Sequence, residues 1–102
     1  MDLEPMFEEL ARSPGLGPFR DLIGRVETYD LEHNSDLLRT LRVYFAANTN
    51  TSEAADRLYL HRNSLTYRLA RVEHLTGLDL KDHRARLALQ LGLLAIRKEH
   101  QR

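Results

Sequence analysis

Ser52-Glu53-Ala54-Ala55-Asp56-Arg57-Leu58-Tyr59-Leu60-His61-Arg62-Asn63-Ser64-Leu65-Thr66-Tyr67-Arg68-Leu69 is the stretch that decides the fold. Its first part, Ser52 to Leu58, is rich in alanine and predicts a short helix. Tyr59-Leu60-His61 is a tight connection without proline. Arg62 to Thr76 predicts a longer helix with Leu65, Leu69, Val72 and Leu75 on one inward face. Gly77 is a good stop for it. Two helices that cross closely need small residues at the crossing, and Ala54 and Ala55 supply them. Leu58, Leu60, Leu65 and Leu69 stand where apolar anchors must fix the angle. The pattern is a helix-turn-helix. Its one awkward position is Tyr59, where many such turns place glycine. A non-glycine residue with positive φ costs roughly 1 kcal/mol, so this turn either avoids that conformation or tolerates it.

The outward face of the second helix carries chemistry suited to nucleic acid. With Leu65, Leu69 and Val72 buried, it offers Arg62, Asn63, Thr66, Tyr67 and Ala70, with Arg68 and Arg71 beside it. Arginine can fork onto guanine O6 and N7, and asparagine onto adenine. Ser, Thr and Tyr hydroxyls suit phosphate oxygens. Backbone N–H groups at a helix start point at phosphate as well, here near Thr51 and Ser52 and near Ser64. The candidate DNA-contacting residues are therefore Ser52, His61, Arg62, Asn63, Ser64, Thr66, Tyr67, Arg68 and Arg71. Each has a plainer reading. His61 reads best as a turn or capping residue, and Asn63 can cap the helix as well as touch a base. Tyr67 can pack its ring on the domain and give its hydroxyl to a phosphate. Arg68 can pair with Asp56 or another acid.

Outward from this segment, the pattern stays helical. Residues 2–12 predict a short helix with Leu3, Met6, Phe7 and Leu10 on one stripe. Ser13-Pro14-Gly15-Leu16-Gly17-Pro18 breaks it and is the best linker in the chain. Residues 19–29 form a second stripe of Phe19, Leu22, Ile23 and Val26, and Asp30 to Ser35 reads as a polar connection. Asn34 or Ser35 is the expected cap of the next helix, with Asp36 favoured at its positive end. Leu37, Leu38, Leu41, Tyr44 and Phe45 then share one face until Asn48-Thr49-Asn50. Asp82 is placed to cap a last helix running to about Lys98. That helix has two apolar stripes: Leu87, Leu91 and Leu94, and Leu89, Leu93 and Ile96. Both must be buried, one over the helix-turn-helix and the other on the N-terminal helices or a second subunit. No alternation or Asn-Gly turn signals a strand.

Composition narrows the functions. The 102 residues are 42% hydrophobic and suit one modest core. There is no cysteine, so neither a disulfide framework nor a thiolate metal site can form. The histidines at 33, 61, 74, 83 and 100 show no i, i+4 pair of the kind a helical metal site uses. Neither a nucleophile motif nor a phosphate-cradling glycine loop is present, so no enzyme, cofactor or metal is expected. No apolar run is long enough for a membrane span, no signal peptide is visible, and a cytoplasmic location is expected. Net charge is zero, from 15 basic and 15 acidic residues. Its distribution is uneven: residues 1–50 carry five Arg against nine Asp/Glu, and residues 51–102 carry ten Arg/Lys against six. A neutral chain with a basic half can still offer a positive face to phosphates.

Residues 37–97 resemble the C-terminal helix-turn-helix domain of PucR/CdaR-type regulators, which control purine or sugar-diacid catabolism. The matching pieces begin with Leu37-Leu38-x-Thr40-Leu41 and Asn50-x-Ser52-Glu53-Ala54-Ala55-x-x-Leu58. His61-Arg62-Asn63-Ser64-Leu65-x-Tyr67-Arg68-Leu69, Glu73-x-Leu75-Thr76-Gly77-x-Asp79-Leu80 and Arg86-Leu87-x-Leu89 follow. Four positions depart from the family. Ser64 replaces the usual Thr, Thr66 a frequent basic residue, His83 a common Pro, and Thr51 a usual Val. Loss of a basic residue at Thr66 removes one DNA contact that the family pattern implies.

The resemblance implies an all-α fold of about five or six helices with a Fis-like helix-turn-helix. It implies sequence-specific binding of double-stranded DNA by helix 62–75 in the major groove, for transcriptional control. It also implies a sensor region N-terminal to this domain, through which any small-molecule effector would act. Residues 1–33 then read as a helical extension or a remnant of that region, and 34–102 as the DNA-binding domain. A homodimer reading two half-sites is expected. The alternative is a protein-interaction module that keeps the fold without binding DNA, which neutral charge and Thr66 favour.

Overall fold

The computed structural model describes residues 1–97; the end of the last helix expected near Lys98 lies outside the described residues. It contains six α-helices, one short 3-10 turn and no strand among the described residues. The helices are α1 (Glu4–Ala11), α2 (Gly17–His33), α3 (Leu37–Ala46), α4 (Thr51–Arg57), α5 (Arg62–Thr76) and α6 (His83–Ile96). The all-α expectation holds.

Three local details differ from the pattern reading. The segment 13–18 is a linker only in part: Ser13 Oγ accepts from Gly15 N, Pro14–Leu16 makes the 3-10 turn, and α2 already starts at Gly17. Leu16 is buried there, so the proline-glycine run is pinned to the core. Second, α2 runs on to His33 through Asp30, Leu31 and Glu32, which looked like a polar connection. A polar stretch stays helical when its other face is held by packing rather than by propensity. Third, neither Asn34 nor Ser35 caps α3. Asp30 does so from the last turn of α2, accepting from Leu37 N at 2.8 Å, Leu38 N at 2.9 Å and Ser35 Oγ. Asn34 instead takes the left-handed conformation that ends α2, with φ 51°.

The core centres on Ile23 and Val26 of α2, Leu37 and Leu41 of α3, Leu65, Leu69 and Val72 of α5, and Leu89, Leu93 and Ile96 of α6. Each fully buried aliphatic side chain contributes roughly 1.5–3 kcal/mol. α2 crosses α6 so closely that a Cβ on Gly92 would lie 2.6 Å from the Phe19 carbonyl oxygen and 2.9 Å from Ile23 Cβ. The Arg20 guanidinium closes the far end of this pair by donating to Ala95 O at 2.9 Å. α3, α4 and α5 pack on one another, and α2 and α6 back them.

The two stripes of α6 have separate fates. Leu89, Leu93 and Ile96 are buried in the core. Leu91 and Leu94 line a groove against α1, shared with Phe7, Leu10 and Phe45, while Leu87 remains 56% exposed. The expected packing of the second stripe on the N-terminal helices is thus partial.

Candidate nucleic-acid interface

α4, its turn and α5 are built almost entirely from local bonds. Asn50 starts α4, its side-chain oxygen accepting from Glu53 N at 2.9 Å. The helix therefore begins one residue before Ser52. Ala54 and Ala55 are buried in the packing with α3 and α5, as the crossing requires. At the other end, Tyr59 N donates to Asp56 O at 3.1 Å and Leu60 N to Ala55 O at 2.9 Å. That pair of bonds is the Schellman ending, which needs a left-handed residue between helix and strand-like exit. Tyr59 fills it with φ 56° and a side chain 93% exposed. The turn tolerates the strain rather than avoiding it.

α5 opens on His61, whose ring Nδ1 accepts from Asn63 N at 3.1 Å. His61 is thus a cap, and Asn63 is free of that duty. The helix ends at Gly77, with φ 74°. Leu65, Leu69, Val72 and Thr76 face inward and are buried. Arg62, Asn63, Ser64, Thr66, Tyr67 and Ala70 are exposed on the other side. The side chains of Arg62, Asn63 and Ser64 make no hydrogen bond among the described residues. Thr66 donates its hydroxyl to Arg62 O at 3.1 Å. Ser52 is exposed on the first turn of α4.

Arg68 and Arg71 sit on the flank, half-buried. Arg68 donates to Thr40 Oγ1 at 3.2 Å on α3, so its partner is a hydroxyl and not Asp56 or another acid. Arg71 donates to Tyr67 Oη at 2.9 Å and lies 5.7 Å from the ring centroids of both Tyr67 and Tyr29. The Tyr67 hydrogen bond, with the charge interactions of Tyr67 and Tyr29 behind it, holds the Arg71 guanidinium above its ordinary pKa.

Some of the surface arginines are paired with carboxylates. Arg39 pairs with Asp36 at 3.3 Å, Arg57 with Glu53 at 2.7 Å, and Arg97 with Glu4. Among the described residues, Arg62, Arg68 and Arg71 pair with no carboxylate. Arg12, Arg25, Arg42, Lys81 and Arg84 are also exposed without a carboxylate partner; what marks α5 is that three arginines without such a partner share one helix with free amide and hydroxyl groups. An uncompensated row of guanidinium groups beside free amide and hydroxyl groups is what a polyanion surface takes up.

The segment after α5 is structural. Glu73 accepts from Leu80 N at 2.9 Å, Thr76 Oγ1 donates to Val72 O at 2.8 Å, and Arg86 donates to Leu80 O at 2.8 Å. Asp79 turns the chain by accepting from Lys81 N, and Asp82 caps α6 by accepting from Arg84 N. The Glu73 to Leu80 pattern thus fixes how α6 leaves α5 and touches no open surface chemistry. Sequence reasoning missed Asn50, Asp30 and Tyr29. Asn50 could have been found from Glu53 three residues on, the spacing of a capping pair. Asp30 and Tyr29 act across elements, and no local spacing reveals them.

The sequence has a match among known families. The model of the PucR C-terminal helix-turn-helix domain covers residues 37–95. This chain belongs to that family. The PucR-type domain matches curated relatives as well. It is similar to the proline-responsive transcriptional activator PutR of Bacillus subtilis, 39% identical over 70 residues, or 69% of this chain and 17% of PutR. It is similar to the purine catabolism regulatory protein of the same organism, 44% identical over 62 residues, or 61% of this chain and 12% of the relative. The carbohydrate diacid regulator of Escherichia coli is 41% identical over 71 residues, or 70% of this chain and 18% of the relative. The PucR-type chain thus spans less than a fifth of the length of each of these relatives. No solved structure gives a significant match. The family is one of transcription-regulator domains and not of enzymes, and membership supports a DNA-binding role. Among the described residues no helix is long and apolar enough to cross a membrane.

Proposed function

We propose that this domain binds duplex DNA sequence-specifically for transcriptional control, with α5 lying in the major groove. Arg62 and Asn63, at the exposed N-terminal end of α5, read base edges. Tyr67 and the flanking arginines take backbone phosphates, and Ser52 and Ser64 take phosphate at their helix starts. Thr66 faces the groove wall, and His61 orients the first turn. The observation that carries this reading is the clustering on α5 of three arginines without carboxylate partners, Arg62, Arg68 and Arg71, beside the free side chains of Asn63 and Ser64. Residues 34–102 would hold the DNA-reading unit. Residues 1–33 would be a helical extension, with α2 completing the core.

Selection from a random duplex pool tests it. The expected result is one enriched sequence, against which Arg62→Ala loses roughly 1–3 kcal/mol of specific binding while binding random duplex almost as before. Replacing the contacted guanine by 7-deazaguanine should remove most of that difference. Loss of affinity without loss of specificity would demote Arg62 to a phosphate contact.

A homodimer of the domain would read two half-sites about 34 Å apart, or a multiple of that. Leu3, Met6, Phe7, Leu10 and Leu87 form an exposed apolar surface on α1 and α6, a candidate contact with a second copy. The same surface supports a second reading, in which the domain is a protein-interaction module without DNA binding. Sedimentation of the wild type and of Met6→Glu at high concentration tests the dimer; a monomer in both cases removes it. Any small-molecule effector would act from another part of the longer regulator.

A further inference from the structure

The geometry points to a phosphodiester seat in the cleft between α5 and the corner joining α2 to α3, with Arg71 as its cation and Tyr29 of α2 as its support. This inference rests on the DNA-binding reading above and extends the interface beyond the segment 37–95 that the family model covers.

The cleft has a volume of about 580 Å³ and lies beside the reading face of α5; Ser35, Asn63, Ser64, Tyr67 and Arg71 are among the residues that line it. Asn63 and Ser64 bring free polar side chains to its rim. Arg71 sits in its wall between two aromatic rings, each 5.7 Å from the guanidinium carbon, with one N–H committed to the Tyr67 hydroxyl. A guanidinium carries five N–H donors, so several remain for an anion. Two flanking rings limit the side chain's rotamers, and a pre-ordered arginine loses less entropy when it takes up a phosphate.

The acids near the cleft are already engaged. Asp30 spends its carboxylate on Leu37 N, Leu38 N and Ser35 Oγ, and Asp36 faces Arg39. Neither neutralises Arg71. The occupant is therefore an anion, and its place beside α5 makes it a backbone phosphate of the duplex whose bases α5 reads. Tyr29 is itself held by the ring of His33, stacked at 4.1 Å between centroids. The seat is thus assembled from α2, which has no part in the helix-turn-helix motif. Tyr29 is a positioning residue: it acts through Arg71.

Salt titration of duplex binding by fluorescence anisotropy tests the seat with Arg71→Gln, Tyr29→Leu and the double variant. Each phosphate contact contributes a slope of about 0.9 in log affinity against log salt. Between about 50 and about 200 mM salt the wild type should therefore lose roughly 3.5-fold more affinity than Arg71→Gln. The loss at low salt should be equal for selected and random duplex. Tyr29→Leu should give a part of this loss, and none beyond it once Arg71 is already Gln. Unchanged slopes in Arg71→Gln, with a wild type that binds DNA, would overturn the seat and leave the base-reading proposal intact. Equal losses for Tyr29→Leu with and without Arg71 would overturn the supporting role of Tyr29. A wild type that binds no duplex would overturn both proposals together.

Discussion

Four non-glycine residues at helix ends, Asn34, Asn48, Thr49 and Tyr59, take the left-handed conformation, with φ of 51°, 54°, 64° and 56°. Asparagine pays little for this and tyrosine more. Tyr59 gains nothing from burial, because its side chain is in solvent. Tyr59→Gly should therefore stabilise the domain by up to about 1 kcal/mol, reduced by the freedom that glycine adds to the unfolded chain. Urea unfolding checks this, and a lower midpoint would show that the exposed ring has a role in stability. Asp30 is the opposite case, a surface carboxylate with three internal bonds. Asp30→Ala removes the acceptor for two helix-start N–H groups and should cost about 1–2 kcal/mol. A thermal melt unchanged from wild type would mean that water replaces it without penalty.

At the scale of elements, the α2–α6 crossing sets the tightest tolerance. Gly92→Ala places a methyl 2.6 Å from the Phe19 carbonyl oxygen, and a backbone atom cannot step aside cheaply. Forcing the helices apart costs about 1–3 kcal/mol, against a helix-propensity gain of about 1. Gly24→Ala, on α2 with nothing within 4 Å of the new Cβ, should instead stabilise by about 0.5–1 kcal/mol. Calorimetry on both variants should show opposite signs; two stabilised proteins would mean that α2 and α6 can separate freely.

The same scale explains what could be read from sequence. α5 is legible to the residue, because Leu65, Leu69 and Val72 repeat at helical spacing and Gly77 stops the chain at positive φ. The helix-turn-helix was legible for the same reason, through Ala54, Ala55 and the leucines around them. The extent of α2 was not. Asp30 to His33 lack an apolar stripe, and their helicity follows from Asp30 bonding forward to α3 and from Tyr29 packing against α5. Candidate base readers could be named from one face of α5. Tyr29 could not, because it reaches Arg71 from an element forty residues earlier, and cross-element contacts leave no local period.

For the whole molecule, zero net charge conceals a division of labour. The acidic first half spends several carboxylates on helix starts and on pairing arginines, as Asp30, Asp36 and Glu4 do. The basic second half leaves the cations of α5 open. Such a domain should bind DNA through a few local phosphate contacts and not through a broad positive field, so its affinity should depend on salt less steeply than that of a strongly basic protein.

Fluorescence anisotropy of this domain against a random duplex pool, at low and at moderate salt, decides whether it binds DNA. Binding should be measurable at low salt and weaken as salt rises, with a slope corresponding to a handful of phosphates. No binding to any duplex at low salt, by a folded protein, would contradict the DNA-binding reading and favour that of an interaction module.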